Sequence, residues 1–303
     1  MKLEDIKRLI KKEFDEISAA FFSNSLNIQY IEGTNRIFGE GGSMFGANIV
    51  KYSETNFEYL YYYLKYLCLN VNILNLKPLE KDYKKLKVTK DLLSLDFIKQ
   101  ADILKNIDKE TLFVELNFVA NLFAFFHECG HINQTIDPDE ETIDTNHFAE
   151  FNSDYYALSN ILKYYYTLRK KYTEVYYRKA LSFENEHNFI RCIIVISLTI
   201  IFLECLANTE IGDTSTHPSI KKRFCYLLYQ LQIQLETNFD FLFVNDKLSD
   251  FLVDIFNTLY YIEIKLLEKD FIIFNDLLHY CISCVEDVKN AMMQSKKFNS
   301  FND

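Results

Sequence analysis

The sequence predicts a mainly α-helical protein with at most a small β-sheet or hairpin near residues 27–50. Glycine and proline, the residues that most often interrupt helices, occur only 7 and 3 times in 303 residues. Apolar residues also recur every three to four positions over long stretches, as in helices that bury one face. No internal repeat or Pro/Ser-rich linker divides the chain, so we expect a single domain over residues 1–303.

The first 90 residues predict two helices with short strands between them. Helical periodicity covers residues 3–20 and 54–70. Residues 27–31 and 47–50 favour a hairpin or a twisted pair of short strands. The glycines between them lack the Gly-Lys-Ser/Thr ending of a phosphate loop, which argues against nucleotide binding. The lysines of residues 81–90 are most simply a solvated surface.

A long apolar helix is predicted over residues 110–131. One stripe at helical spacing should point toward the core and carry two histidines inward. A buried histidine pair without a partner would be costly, and a metal ion would remove that cost. The alternative is that each histidine is a core residue bonded to the backbone. The stripe consists of Phe113, Leu116, Ala120, Phe123, Ala124, His127 and His131.

Residues 127–131 read His-Glu-Cys-Gly-His, an H-E-x-x-H motif. His127 and His131, four residues apart on a helix, can hold the same metal ion. Glu128 points about 100° away, where it can reach a water on that metal without being a ligand. This arrangement is typical of catalytic Zn²⁺ sites, in which the glutamate takes a proton from the water. The alternative is a chance pattern on an ordinary helix.

The next helix, over about 146–170, offers a third ligand. An acidic, turn-like stretch precedes it, and Asp144 or Thr145 can cap it. Glu150 and Asp154 share one face that is otherwise apolar, so both carboxylates should point inward and need a cation or donors. The simplest solution places Glu150 on the metal and lets Asp154 accept the outer N–H of a ligand histidine. His147 is the fallback ligand, and a pair of surface acids is the alternative.

The segment Thr216-His217-Pro218-Ser219 predicts the start of another helix, over 218–236. Pro218 suits the first helical position, which places His217 at or beside the N-cap. There His217 could donate an N–H to a developing oxyanion, or it could be a plain capping residue. Arg223 could fix the segment through Asp213 or Glu210.

The remaining periodic stretches, 172–208 and 247–294, carry no comparable motif. Residues 192–203 form an uncharged run of 12, shorter than the roughly 20 residues of a membrane span, which favours a buried helix. Cys281-x-x-Cys284 has the spacing of a zinc ribbon, but no second pair accompanies it, so two core-facing residues are the better interpretation.

Together, His127-Glu128-x-x-His131 and Glu150-x-x-x-Asp154 resemble the signature of the gluzincin metallopeptidases. The Thr-His-Pro segment with Arg223 is similar to one found in the HtpX-type and CAAX-processing branch of these enzymes. The chain is less closely similar to the phage-exclusion (Lit-type) peptidases. These similarities cover three short islands between residues 120 and 224.

The resemblance implies a zincin-like domain and a zinc peptidase. His127, His131 and Glu150 would hold Zn²⁺, and Glu128 and His217 would be catalytic, with Asp154 and Arg223 in support. The zinc-site core would span about 110–235, followed by a helical part over about 236–303. The substrate would be a protein or peptide, and the Lit-type similarity suggests a role in phage defence.

Composition limits the partners and the compartment. The net charge of −10, without a basic stripe, argues against nucleic-acid binding. The charged first residues lack the apolar core of a signal peptide, and seven scattered cysteines fit a reducing cytosol. We therefore expect a cytoplasmic enzyme of unknown oligomeric state. The alternatives are a catalytically silent metal-binding or sensor protein and a membrane-embedded HtpX-like protease.

Overall fold

A computed structural model describes residues 1–22, 26–32, 39–44, 47–69, 109–132, 134, 143–171, 217–218, 223, 226–227 and 230. Within this part, four helices and one small sheet confirm the predicted mainly α class. The predicted features at 81–90, 172–208, 247–294 and 281–284 lie outside it, as do residues 236–303. In chain order the elements are α1 (Leu3–Phe21), β1 (Leu26–Ile31), β2 (Gly39–Met44), β3 (Ala47–Ser53), α2 (Glu54–Leu69), α3 (Lys109–Ile132) and α4 (Ile143–Lys171).

The helix ends follow local chemistry to within a few residues of the predictions. Glu4 and Asp5 lie in the first turn of α1, where acidic side chains favour the positive end of the helix dipole. Helix α4 begins at Ile143, so Asp144 and Thr145 lie in its first turn. The prediction that either residue caps α4 was therefore wrong, since the backbone is already helical at those positions.

The sheet has the order β1-β3-β2. Strands β1 and β3 are parallel, with Ile28 opposite Val50, and β2 is antiparallel to β3, with Gly41 opposite Val50. Residues 27–31 and 47–50 are thus neighbours in a parallel pair and not the two arms of a hairpin. The glycine-containing segment 39–44 supplies the third strand, which the sequence analysis did not predict because its glycines have low strand propensity.

An aromatic core joins α1, β3, α2 and α3. The ring of Phe14 stacks on that of Phe125 with a centroid distance of 4.2 Å. Tyr52 meets Phe14 edge to face at 5.3 Å, and Phe57 lies 5.1 Å from Tyr52. All four side chains are essentially inaccessible to solvent. Because aromatic pairs add to the free energy of burial, this cluster fixes the sheet and both N-terminal helices on α3.

Helix α3 is buried around most of its circumference. Four members of the predicted stripe are buried, with Phe113, Ala120 and Phe123 at 2% exposure or less and His127 at 9%, whereas Ala124 and His131 are half-buried. However, Leu122 and Phe126, on other faces, are also fully buried. A helix that is apolar on all sides lies inside a protein, so α3 is the central helix of the described region and not an amphipathic surface helix.

Helix α4 crosses α3 at close range. A Cβ atom added at Gly130 would lie 2.7 Å from the Cα atom of Ser153, a distance that no side chain can tolerate. The side-chain amide of Gln134, just beyond α3, donates to the carbonyl of Ala149 and the hydroxyl of Ser153 at 3.0 and 2.9 Å. Glycine inside a helix costs about 1 kcal/mol relative to alanine, and here it permits the close crossing that brings Glu150 to the histidines.

In the described part of the chain, no helix is both long and apolar enough to cross a membrane. Residues 192–203, the uncharged run predicted to form a buried helix, lie outside this part.

Candidate metal centre

The two histidines of the H-E-x-x-H motif point their ring nitrogens at a common location. His127 and His131 are one turn apart on α3, and their Nε2 atoms are 3.1 Å from each other. The rings are nearly perpendicular, at 84°. The i, i+4 spacing therefore brings the two nitrogens together, as predicted from the sequence.

Glu150 on α4 completes the group. Its Oε2 atom lies 3.4 Å from His127 Nε2, and its Oε1 atom lies 3.4 Å from His131 Nε2. One ligand atom from each of the three residues lies within 4.8 Å of the other two, so the group could hold a metal ion. Among the described residues, His147 does not belong to this group. The structure thus favours Glu150 over His147 as the third ligand.

The chemistry of the group fits a divalent cation. Glu150 Oε2 is buried and has no hydrogen-bond partner in the described part of the chain, although His127 Nε2 and Arg223 approach it at 3.4 and 3.5 Å. A buried carboxylate oxygen without a hydrogen bond is costly unless a cation satisfies it. Two imidazoles and one carboxylate are also a donor set found in catalytic zinc sites.

A buried charge network supports His127 from behind. Asp154, which is completely buried, lies with Oδ1 2.9 Å from His127 Nδ1. A proton on Nδ1, donated to Asp154, leaves Nε2 free to bind a metal. Arg223 donates to both oxygens of Asp154, at 2.7 and 2.6 Å. The predicted partners of Arg223, Asp213 and Glu210, lie outside the described residues. Within the described residues, its guanidinium engages the carboxylates of α4.

In the metal-free protein this network fixes the protonation of both histidines. Burial alone would lower the pKa of His127, but its hydrogen bond to Asp154 and the nearby negative charge of Glu150 outweigh it and raise the pKa to about 10. Burial and the neighbouring His127 charge lower the pKa of His131 to about 4. Near neutral pH, His127 therefore carries a proton and His131 does not. A metal ion would take the place of the proton on His127 Nε2.

The two buried carboxylates stay ionised in this environment. Burial would raise the pKa of Glu150, but His127, Arg223 and His131 hold it far below its usual value. The pKa of Asp154 is likewise lowered, because the charge and hydrogen bonds of Arg223 outweigh burial. Both groups are thus negative over the physiological pH range and available to a cation.

Glu128 lies beside the ligand group without joining it. It is not a member of the potential metal-binding group among the described residues. Burial raises the pKa of its carboxyl to about 7, although the nearby charge of His127 and a hydrogen bond from the Gly41 backbone oppose this rise. A pKa near neutral suits a group that accepts and returns protons.

His217 lies at the margin of the site. Its Nε2 atom is 3.5 Å from Glu150 Oε1, and 42% of its side chain is exposed. It is not a member of the potential metal-binding group among the described residues. The structure therefore brings all seven predicted site residues into one region, and their roles stay predictions.

Sequence reasoning missed two glycines at this site. Gly130 allows the close crossing of α3 and α4, and its sequence signal was a glycine in the interior of a strongly helical segment. Gly41 contacts Glu128 directly. Its signal was the cluster of glycines, but nothing local to that cluster points to a helix some 87 positions further along the chain.

The three donors could hold a metal ion with the Glu128 carboxylate beside it, an arrangement found in many hydrolases. Comparison with known proteins agrees at the level of activity. The family model described as Peptidase U49 matches residues 83–240, just over half of the chain. The chain therefore belongs to the Peptidase U49 family, and its substrate is a protein or peptide. No curated protein and no solved structure matches it significantly.

Proposed function

We propose that this peptidase is a zinc-dependent endopeptidase of the gluzincin type. The observation that carries the proposal is the convergence of His127, His131 and Glu150, with one buried oxygen of Glu150 lacking a hydrogen bond among the described residues. These three residues would hold Zn²⁺. When bound, zinc would lower the pKa of a water molecule and polarise the carbonyl of the scissile bond.

The protein's own residues would perform the proton transfers. Glu128 accepts the proton of the attacking water and passes it to the leaving amine. A pKa of about 7 in the metal-free site suits both directions of transfer. Peptide-bond cleavage requires both transfers because an unprotonated amide nitrogen is a poor leaving group. Glu128 is thus the general base and then the general acid.

Asp154 and Arg223 would keep the ligands in place. Asp154 fixes the orientation of His127 through Nδ1, and Arg223 holds Asp154 with two hydrogen bonds. His217, near the outer side of Glu150, would donate an N–H to the carbonyl oxygen as that oxygen gains negative charge. Its partly exposed side chain is consistent with contact to a substrate that arrives from solvent.

The substrate proposed here is a specific protein in the cytosol. No feature of the sequence indicates a secreted, degradative enzyme, and the similarity to the Lit-type peptidases suggests cleavage of one cellular protein during phage infection. The similarity carries this part of the proposal, whereas the geometry of the site carries the chemistry.

The test uses Glu128→Gln beside Glu40→Gln as a matched control. Glu40 is an exposed residue of β2 that pairs with Lys51 and does not belong to the potential metal-binding group among the described residues. Zinc content is measured by mass spectrometry, and cleavage is followed on a peptide library and on a cell lysate. We expect Glu128→Gln to keep zinc and to lose cleavage by at least about 10²–10⁴-fold, the usual contribution of a general base. Glu40→Gln should match the wild type in both.

Two results would contradict the proposal. Full cleavage by Glu128→Gln would exclude Glu128 as the base. A wild-type protein that binds zinc, unfolds without it and cleaves nothing would instead indicate a silent metal-binding protein.

A further inference from the structure

Strand β2 touches the helix of the H-E-x-x-H motif at one residue. A Cβ atom added at Gly41 would lie 1.7 Å from the main-chain oxygen of Glu128 and 2.6 Å from its carbonyl carbon. Only a residue without a side chain can occupy this place. At Gly42, by contrast, an added Cβ would have no neighbour within 4 Å. The requirement for glycine is therefore specific to position 41.

A second contact joins the same two residues. The backbone N–H of Gly41 donates a hydrogen bond to the Glu128 carboxylate. One peptide unit of β2 thus packs on the main chain of Glu128 and also binds the end of its side chain. A glutamate loses rotamer freedom when its carboxylate is held in one place, and a hydrogen bond from a fixed backbone donor offsets part of that entropy cost.

The position of β2 relative to α3 is itself fixed. Strand β3 pairs with β2, placing Val50 opposite Gly41. The hydroxyl of Tyr52, on β3, donates to the side-chain oxygen of Asn121 on α3 at 2.9 Å, and both residues are fully buried. Asn121 lies seven residues before Glu128, on the same side of the helix. The sheet is therefore attached to the α3 surface that carries Glu128.

We propose that Gly41 is a positioning residue for Glu128: its missing side chain lets β2 reach the backbone of α3, and its N–H holds the Glu128 carboxylate in the orientation needed for proton transfer. The catalytic consequence rests on the proposed function. The contact between Gly41 and Glu128 does not depend on that function, and the experiments test the contact and its catalytic consequence separately.

The contact is tested by nuclear magnetic resonance on protein labelled with ¹⁵N only at glycine. The chain has seven glycines, so the spectrum holds at most seven backbone amide signals. The Gly41 signal is assigned by its absence in Gly41→Ala, and the Gly42 signal by its absence in Gly42→Ala. We expect Glu128→Gln to move the Gly41 signal further than that of Gly42, because a charged acceptor is replaced by a neutral one.

The consequence is tested by kinetics on the zinc-loaded variants. Gly41→Ala must push β2 away from α3, so we expect kcat to fall about 10–100-fold, as for a reacting group displaced by about 1 Å. KM should change less than threefold, and zinc should stay at about one per chain. Gly42→Ala, the matched control, should keep the wild-type kcat. A purely structural role would instead lower zinc content and the melting temperature along with activity.

The outcomes are distinguishable. A Gly41 signal that does not respond to Glu128→Gln overturns the contact, and wild-type kcat in Gly41→Ala overturns its consequence. If the wild type cleaves nothing, the proposed function fails, while the Glu128→Gln spectrum still decides whether Gly41 holds the carboxylate. If Gly41→Ala does not fold, the Gly41 signal is assigned instead by triple-resonance spectra of the wild type, and the Glu128→Gln spectrum still decides the question.

Discussion

Two clusters of acids and bases lie in the described structure, and they differ in what they can do. The outer cluster, Lys7, Lys11, Glu54 and Glu58, joins α1 to α2. The inner cluster connects α3 with α4 and consists of His127, His131, Glu150, Asp154 and Arg223. Both contain close ion pairs, so proximity of opposite charges does not by itself identify a functional site.

The outer cluster is balanced and reaches water. Lys7 Nζ lies 3.1 Å from both Glu54 and Glu58, and Lys11 pairs with Glu54. The side chains of Lys11 and Glu58 are 31% and 35% exposed. Burial would lower the pKa of Lys7, but its two glutamate partners raise it, so Lys7 keeps its charge near neutral pH.

The inner cluster is mostly buried, with His131 as its most exposed member at 23%, and one of its ligand atoms lacks a hydrogen bond in the described part of the chain. Glu150 Oε2 lacks a hydrogen bond within the described residues, and two histidine nitrogens lie 3.1 Å apart. The pKa values of these histidines are moved in opposite directions, to about 10 and about 4. Opposed shifts of neighbouring groups are typical of functional sites. Burial and an unsatisfied ligand atom, rather than charge alone, thus distinguish the cluster that could hold a metal ion.

The two clusters should differ most in zinc affinity when one carboxylate in each is changed to the corresponding amide. Glu150→Gln should weaken zinc binding by more than about 100-fold, because loss of even an outer partner of a ligand costs 10–100-fold. Glu54→Gln should leave zinc affinity unchanged. Titration with a zinc-sensitive chelator measures both. Equal affinity in the two variants would remove Glu150 from the ligand set.

The next difference is expected in the free energy of unfolding when one cation of each cluster is replaced by methionine. Arg223→Met should destabilise the metal-free protein by about 3–5 kcal/mol, because it leaves Asp154 and Glu150 buried without their counter-charge. Lys7→Met keeps the apolar stem, and Lys11 still neutralises Glu54, so we expect a loss of about 1 kcal/mol. Urea unfolding gives both values. Similar losses in the two variants would contradict the view that the inner cation neutralises buried carboxylates and the outer one does not.

The pH dependence should separate the clusters further. The pKa of His127 in the folded protein, about 10, lies above the ordinary value of 6.5. Its stabilisation is therefore fully present below pH 6.5 and is lost as the pH rises through about 10. The raised pKa of Lys7 starts from 10.5, so the outer cluster persists to higher pH.

We accordingly expect the metal-free protein to lose stability by a few kcal/mol between about pH 6.5 and 10, and a His127→Gln variant to lose much less. Urea unfolding across this range measures it. A flat profile in the wild type would show that His127 is not held in its protonated form.

The smallest expected difference in stability concerns two buried tyrosine hydroxyls, one with a hydrogen-bond partner and one without a partner among the described residues. Tyr52→Phe leaves the Asn121 oxygen without its donor, which should cost about 1–2 kcal/mol. The Tyr30 hydroxyl is buried with no hydrogen-bond partner among the described residues, so Tyr30→Phe should be neutral or slightly stabilising. Thermal unfolding of both variants checks this. The reverse order would contradict the hydrogen-bond assignments.

Much of the fold was predictable because the apolar periodicity of a helix is a local property of the sequence. The periods at 3–20, 54–70 and 110–131 match α1, α2 and α3 to within one residue at each end. The sheet was predictable as a small β element but not in its pairing. The parallel pairing of β1 with β3 goes together with the burial of Val50 and Tyr52, and such tertiary packing is not recorded in the local sequence.

The site shows the same limit. His127, His131, Glu150 and Asp154 could be grouped from the sequence because spacing on a helix fixes which side chains share a face. For Arg223 the sequence suggested only nearby acids as partners and did not predict its hydrogen bonds to Asp154, 69 residues away. Contacts of this kind, including that of Gly41 with Glu128, depend on tertiary packing that no local pattern records.

The most direct test of the central claim is X-ray absorption spectroscopy on the purified wild-type protein loaded with zinc. We predict one zinc per chain, bound by two imidazole nitrogens and by oxygen donors at about 2.0–2.2 Å, with one position open to water. A protein that takes up no zinc, or one whose zinc is enclosed by four side-chain ligands with no open position, would contradict a catalytic centre at His127, His131 and Glu150.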